Sequence, residues 1–331
     1  MTAGIVDLAA ADLGQRFDNS HFNAIGLTDE WIQRRMGIES RVWFAPDLPL
    51  KEPAAQVCRQ IVARTDGEAP PDALLLVSTS ERQRVPGIAQ EVAAAAGLPE
   101  ETMAFDLNVV CSGFVYGLAL ALALCDSGQV RQAIVCCAEA FSRLIDPADR
   151  ATAPLFADGV AAVRVAHRDD FAPSFVRTGC AGRNHAVIRE TRPGQTPPGL
   201  TMDTAGAFDH AIRRVTAVAR ELADRSPRPT VFVPHQANSR LLETIRDNLE
   251  TLGIPLVNRI SHLGNTSAAS IPLAWAAAVA AGETPRQGRL GAIAFGSGEA
   301  WGGVSVSYRL PEPAAAAASG QPSGPSANRP A

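Results

Sequence analysis

Aromatic residues make up only 5% of the chain, and basic charge is not in excess: 30 Lys and Arg stand against 34 Asp and Glu, a formal net charge of −4. A nucleic-acid-binding face needs a basic surplus, so that class of partner is excluded and only local basic patches remain. None of the six cysteines, at 58, 111, 125, 136, 137 and 180, stands in CxxC spacing. Such a pattern supplies neither a metal site nor a disulfide framework and fits a reducing cytoplasm. The first residues, "MTAGIVDLAAADLGQRF", lack a basic cluster followed by a long apolar core, so no secretory signal is expected. With 331 residues, 46% of them hydrophobic, the chain suffices for one large domain or two packed halves.

One stretch lacks charge altogether. From Leu107 to Cys125, 19 residues carry none, which approaches the length of a membrane span. No basic cluster flanks the run, however, and a lone span would leave the surrounding pattern unexplained. A helix apolar on every side is expected instead at the centre of a large fold, buried between sheets. No membrane association is expected.

The rest of the chain alternates. "DALLLVSTS" (72–80) and "QAIVCCAEA" (132–140) read as buried strands, and "PGIAQEVAAAAGL" (86–98) as a helix. "PTVFVPHQAN" (229–238) is a strand ending in a loop, "SRLLETIRDNLETLG" an amphipathic helix closed by Gly253, and "SIPLAWAAAVAAG" a small-residue helix. "RLGAIAFGSGEAWGGVSVSYRL" reads as two strands joined by a glycine turn. This order predicts an α/β fold with sheets covered on both faces. Residues 182–200 form a long polar loop, of the kind that is more often functional than idle. The tail 311–331, Pro, Ala, Ser and Gly with almost no large apolar side chain, is expected to be disordered.

"MAFDLNVV" reads as a strand, which puts Cys111 where strand gives way to helix. At a helix N-terminus the exposed N–H groups favour a thiolate and lower the thiol pKa. On this ground alone Cys111 is either a structural cysteine or a nucleophile, and a partner base must decide between them. His235 in "VPHQAN" follows a buried strand, and Asn265 in "SHLGNTSAAS" follows a glycine turn. Singly, the first reads as a core or loop histidine and the second as a turn residue or cap.

Together these blocks resemble the β-ketoacyl-ACP synthase III branch of the thiolase superfamily, from about residue 28 to 310. "TDEWIQRRMGIESR" resembles its early signature, "DLNVVCSGFVYGLALA" its nucleophile block and "LFADGVAAV" its mid-chain turn. "VPHQANSRLL" resembles the histidine block, "GNTSAASIPLA" the asparagine block and "FGSGEAWGGVSV" the closing glycine turn. The resemblance implies a five-layered αβαβα thiolase fold in two pseudo-duplicated halves: residues 1–165 with the nucleophile, 166–310 with His and Asn, and the tail 311–331. It implies a Cys111–His235–Asn265 triad and an oxyanion hole from the backbone N–H groups of Cys111 and Ser297. CoA and pantetheine contacts would come from Trp31, Arg35, Arg150, Asn238 and Arg240. Arg213 and Arg214 would help Arg240 meet an acidic carrier protein.

The implied activity is an acyltransferase: acyl-CoA acylates Cys111, and decarboxylative Claisen condensation with malonyl-ACP gives a 3-oxoacyl-ACP. No cofactor or metal is implied beyond the CoA thioester and phosphopantetheine of the substrates, and a cytoplasmic homodimer is. Two alternatives stand beside it, an acyltransferase of the same family acting on a hydroxyl or amine, and a catalytically silent partner subunit. Retention of Asn265 favours condensation over the first, and retention of the whole triad argues against the second. The chain departs from the pattern at "STSERQRVPG" (78–87), where the charged "ERQR" and the small Val85 replace the uncharged, bulky closure of the acyl pocket across the dimer. That departure, with the tail and the loop 182–200, fits a relative from secondary metabolism as well as a fatty-acid initiator.

Overall fold

The computed structural model describes residues 1–65, 67–182, 188–190, 199–202 and 204–312; most of the loop 182–200 and the tail from residue 313 lie outside these. The first half runs β1 (Thr2–Ala11), β2 (Gln15–Asp18), α1 (Asp29–Met36), β3 (Ser40–Trp43), α2 (Lys51–Ala63), β4 (Ala73–Val77) and α3 (Ala89–Ala96). It continues with β5 (Met103–Leu107), α4 (Gly113–Asp126), β6 (Gln132–Ala140) and β7 (Asp158–Arg168). Then come β8 (Phe175–Cys180), β9 (Ile188–Glu190), β10 (Leu200–Met202), α5 (Thr204–Ala223), β11 (Val231–Pro234) and α6 (Ser239–Leu249). α7 (Ile260–Leu263), α8 (Ser270–Ala280), β12 (Gln287–Phe295) and β13 (Ala300–Arg309) close the fold.

The strands lie in the order β5-β4-β6-β7-β1-β13-β12-β11, with β8 beside β13. β5, β4 and β6 are mutually parallel, and β7 runs antiparallel to both β6 and β1. β12 is antiparallel to β13 and parallel to β11. A single parallel register, Ile5 opposite Tyr308, joins the β5-to-β1 set to the β13-to-β11 set.

Side-chain alternation turns these two sets into layers. Leu75, Val77, Val135 and Cys137 face a central core, while their neighbours Leu74, Leu76, Ile134 and Cys136 face an outer one. The adjacent cysteines 136 and 137 therefore point to opposite faces and serve two different cores. α2 and α3 supply the outer core of the first set, with Val57, Ile61 and Val92. α5 and α6 supply that of the second, with Val215, Leu222 and Ile245. α4 and α8 fill the middle, burying Phe114, Leu118, Ile271 and Trp275 between the sets. The result is helix, sheet, helix, sheet, helix: the five-layered thiolase arrangement.

The charge-free run is explained by its place. α4 packs against both sets of strands and buries Phe114, Val115, Leu118, Ala121, Leu122 and Cys125, so little of its surface is open to charge before Asp126 at its end. No helix among the described residues is long and apolar enough to cross a membrane. Gly117 brings α4 close to its neighbours, since a Cβ there would lie 3.0 Å from both Val135 Cγ1 and Val77 Cγ2. The reading of 86–98 as one helix proves generous, because α3 is confined to Ala89–Ala96, closed by Gly97 in the left-handed region. Likewise β5 stops at Leu107, short of the strand read through Val110. Replacing Gly117 by Leu should overpack the central layer and cost about 1–3 kcal/mol in urea denaturation; an unchanged midpoint would contradict the close packing described.

Candidate active site

The site begins where β5 breaks off. A 3-10 turn, Val110–Ser112, leads into α4, and Val110 takes φ 46°, a left-handed conformation rare for a β-branched residue. The turn sets Cys111 at the head of the helix. Ser112 Oγ donates to the Ala300 carbonyl at 2.7 Å, tying the turn to the start of β13. The chain beyond β12 closes over it: a Cβ on Gly296 would stand 2.9 Å from Cys111 Cβ and 3.2 Å from the Cys111 and Ser112 nitrogens. Only glycine permits that approach. The amides of Cys111 and of the next residue, Ser297, both reach the thiol and favour its ionised form.

The expected low thiol pKa is corrected by the structure. Burial pushes Cys111 up to about 12, a hydroxyl from Ser267 opposes that rise, and the Glu139 charge adds to it. The helix N-terminus and the amides act in the expected direction, but loss of water around the thiolate outweighs them. Of the six cysteines, five are buried and Cys180 is exposed.

His235 follows β11, its backbone N–H held by the Ile293 carbonyl of β12 at 2.8 Å. Its Nδ1 lies 2.6 Å from Ser270 Oγ, which also accepts from the Gln236 amide at 3.3 Å. A serine hydroxyl that donates to Nδ1 fixes the tautomer with the proton on Nε2. Burial lowers the imidazole pKa to about 4, so the ring is neutral at physiological pH. The buried Gln236 braces the loop, donating to the Pro234 and Val257 carbonyls and accepting from the Arg259 amide.

Asn265 is fixed from the other side. Its amide donates to Leu155 O at 3.0 Å and its carbonyl accepts from Ala157 N at 2.9 Å, which pins it to the segment ahead of β7. Its side-chain oxygen accepts from Ser267 N at 3.0 Å. The five residues after it thus reach both other candidate site residues, with Ser267 against Cys111 and Ser270 on His235. Ser267 has φ 50°, as does Glu299 beside Ser297; with Val110 these are the positive-φ residues other than glycine among the described ones. Val110 adjoins Cys111 and Ser267 lies against it, so two of the three strained residues gather at the candidate nucleophile, as is common where a fold stores strain at a working site.

Sequence reasoning missed Ser270, Ser267 and Glu139. Glu139, near the end of β6, is fully buried, and its Oε2 accepts from the Thr79 and Ser80 amides and from Ser80 Oγ at 2.8 Å. Burial raises its pKa to about 7 against these donors. A glutamate inside "IVCCAEA" was a signal in plain view, the one charge in an otherwise apolar strand. The serines carry none, since either reads as a cap in an Ala/Ser-rich segment.

Several of the substrate-contact candidates are linked through α1 and the start of α6. The Arg35 guanidinium lies 5.5 Å from the Trp31 ring centre, and Arg150 Nη2 donates to the Gly26 carbonyl just ahead of α1. The end of α1 abuts the start of α6, for a Cβ on Gly37 would collide with Ser239. Asn238 caps α6 by accepting from Leu241 N at 2.9 Å, and Arg240 is exposed beside it. Arg213 and Arg214 lie exposed on α5, Arg214 over the Trp301 ring. Val85 does not join the site within one chain, being 91% exposed.

The His235 shift has a definite pH signature. The unfolded imidazole takes a proton near 6.5 and the buried one only near 4, so the unfolded chain binds more protons between those values. Stability is full above the higher value and falls as pH drops through the lower, by on the order of 3 kcal/mol. Denaturant unfolding at pH 7 and pH 4 should show a smaller loss for His235→Gln than for the wild type; an equal loss would contradict the buried neutral ring.

Comparison with known proteins agrees with this geometry. Residues 105–181 match the family described as 3-oxoacyl-[acyl-carrier-protein (ACP)] synthase III, and residues 229–308 match its C-terminal counterpart. β-Ketoacyl-ACP synthase III 5 of Streptomyces coelicolor is 36% identical over 296 residues, covering 84% of this chain and 88% of the relative. The synthase III of Neisseria gonorrhoeae is 32% identical over 309 residues, covering 90% and 93%. The crystal structure of 3-oxoacyl-ACP synthase III from Pseudomonas aeruginosa PAO1 superposes with a TM-score of 0.84 at 30% identity, covering 93% of this chain and 99% of that one. The priming β-ketosynthase of the R1128 polyketide pathway gives a TM-score of 0.85 at 26% identity, covering 93% and 96%. Its fold, its matched blocks and relatives of this identity and coverage make the chain a member of the β-ketoacyl-ACP synthase III family.

Proposed function

We propose that this protein condenses an acyl thioester with malonyl-ACP, using Cys111 as the acylated nucleophile and His235 and Asn265 as the decarboxylation pair. The observation that carries the reading is the convergence of three separate blocks on the segment 265–270: Asn265 itself, Ser267 at Cys111, and Ser270 at His235. In this division residues 1–165 bring the thiol and residues 166–310 the two donors.

In the first half-reaction the Cys111 thiolate attacks the acyl-CoA carbonyl, the bond from that carbon to the CoA sulfur breaks, and the CoA thiolate takes a proton from solvent. The tetrahedral oxyanion is met by the N–H groups of Cys111 and Ser297, which the fold already aims at the thiol. In the second, malonyl-ACP loses carbon dioxide and its carbonyl oxygen gains charge. A neutral His235 with the proton on Nε2, beside the Asn265 amide, supplies two donors for that enolate. The carbanion then attacks the acyl carbon, and the bond to Cys111 Sγ breaks.

Trp31, Arg35 and Arg150 would hold the CoA nucleotide, and Asn238 and Arg240 the pantetheine entrance, with Arg213, Arg214 and Arg240 facing the carrier protein. Val85 can close an acyl pocket only if a second copy of the chain presents it, which fits a homodimer. No resident cofactor is needed, since CoA and phosphopantetheine arrive on the substrates, and the free thiols suit the cytoplasm.

Intact-mass analysis with a panel of acyl-CoAs should give a single acyl adduct that Cys111→Ala abolishes. His235→Ala and Asn265→Ala should still acylate yet lose carbon dioxide release by about 10²-fold or more. Acyl transfer to a hydroxyl or amine with no carbon dioxide released would instead favour the acyltransferase reading. Survival of the adduct in Cys111→Ala would remove the proposed nucleophile.

A further inference from the structure

The mechanism above leaves one step without an agent: something must take the proton from the Cys111 thiol. His235 is poorly suited, because a ring kept neutral down to about pH 4 is a weak base. The turn Ser267–Ala269 packs between β6 and the nucleophile turn, which places the Ser267 hydroxyl between Cys111 and Glu139. That hydroxyl favours the ionised form of each, yet it closes a well-formed hydrogen bond to neither. Ser267 Oγ and Glu139 Oε1 are both buried and without a hydrogen-bond partner among the described residues. Two polar atoms buried without a partner are costly to keep, and a proton passing between them would satisfy both in turn. The strained backbone of Ser267, held by the bond from its N–H to Asn265 Oδ1, fixes the hydroxyl there.

We propose that Glu139, a positioning residue acting through the Ser267 hydroxyl, takes up the Cys111 proton and stores it for the lifetime of the acyl-enzyme. The inference rests on the reading of Cys111 as the nucleophile. In the forward step the Cys111 S–H bond breaks and its proton passes to Ser267 Oγ. Ser267 hands its own proton to Glu139 Oε1, so the thiol becomes thiolate and the carboxylate becomes carboxylic acid. When condensation expels the thiolate, the same path runs backward and restores thiol and carboxylate. The one proton that the whole reaction consumes goes to CoA, so the relay neither gains nor loses any. A protonated Glu139 also spares the enolate a neighbouring negative charge.

The surroundings allow this titration. Glu139 Oε2 is held by neutral donors, the Thr79 and Ser80 amides and Ser80 Oγ. Cys111, on the nucleophile turn, and Cys137, on β6 itself, are the thiols whose ionisation the Glu139 charge opposes. Asp158, on β7, is turned away to Phe44 N and to Ser142. Burial places the carboxyl pKa near 7, where donating and accepting a proton are both feasible.

The test is the pH dependence of Cys111 alkylation by iodoacetamide, which needs no acyl donor and so stands apart from the identity of the substrate. Exposed Cys180 is first replaced, in a Cys180→Ser background. The parent should gain reactivity up to about pH 7 and then level off. Glu139→Gln keeps an oxygen for the Thr79 and Ser80 amides but should lose the plateau and react about 10²-fold more slowly at pH 7.5. Ser267→Ala leaves the carboxylate and its Thr79 and Ser80 donors in place and should lose the same plateau, so it decides the matter if the Gln variant does not fold. A plateau near pH 7 retained in either folded variant would overturn the relay, whatever the enzyme condenses.

Discussion

The backbone pair that ties Asn265 to Leu155 and Ala157 is the constraint on which the site depends. It anchors the segment 265–270 against the entry to β7, and the five residues after Asn265 then reach Cys111 and His235. A second tie runs the other way, from Ser112 to Ala300. These two ties, with the close approach permitted at Gly296, bring residues far apart in the chain together around Cys111.

Electrostatically the site inverts a simple expectation. A cysteine at a helix N-terminus is ordinarily taken as acidic, but here the same layering that buries α4 strips water from the thiol. Desolvation is the largest influence on Cys111, His235 and Glu139 alike. It raises the two acids and lowers the base, which leaves the Cys111 thiol and the His235 ring uncharged at neutral pH while Glu139 titrates near 7. Burial of this kind strengthens each donor aimed at a developing oxyanion or enolate. The price is a thiol that needs help to ionise.

Much of this was legible in the sequence, for reasons that can be traced to particular residues. The apolar runs at 73–77, 132–140 and 287–295 gave their strands because buried strands admit little else. Cys111, His235 and Asn265 could be singled out because the blocks around them, at a strand end or a glycine turn, resemble those of the family. Ser267, Ser270 and Gln236 could not, since their roles arise only from tertiary juxtaposition and their side chains are common in caps and turns. The pKa of Cys111 was misjudged because sequence shows the helix start but not the sheet closing over it. Val85 was expected to close an acyl pocket across a dimer, and within one chain it lies on the surface.

The central claim is that the acyl group on Cys111 ends up on the carbon of a decarboxylated malonyl unit. Intact mass of the carrier protein, after malonyl-ACP is mixed with the enzyme and an acyl-CoA that acylates it, measures this most directly. The account predicts a carrier lighter by one carbon dioxide and heavier by one acyl group, with Cys111 returned to the free thiol. A carrier that keeps its malonyl group while Cys111 stays acylated would contradict it.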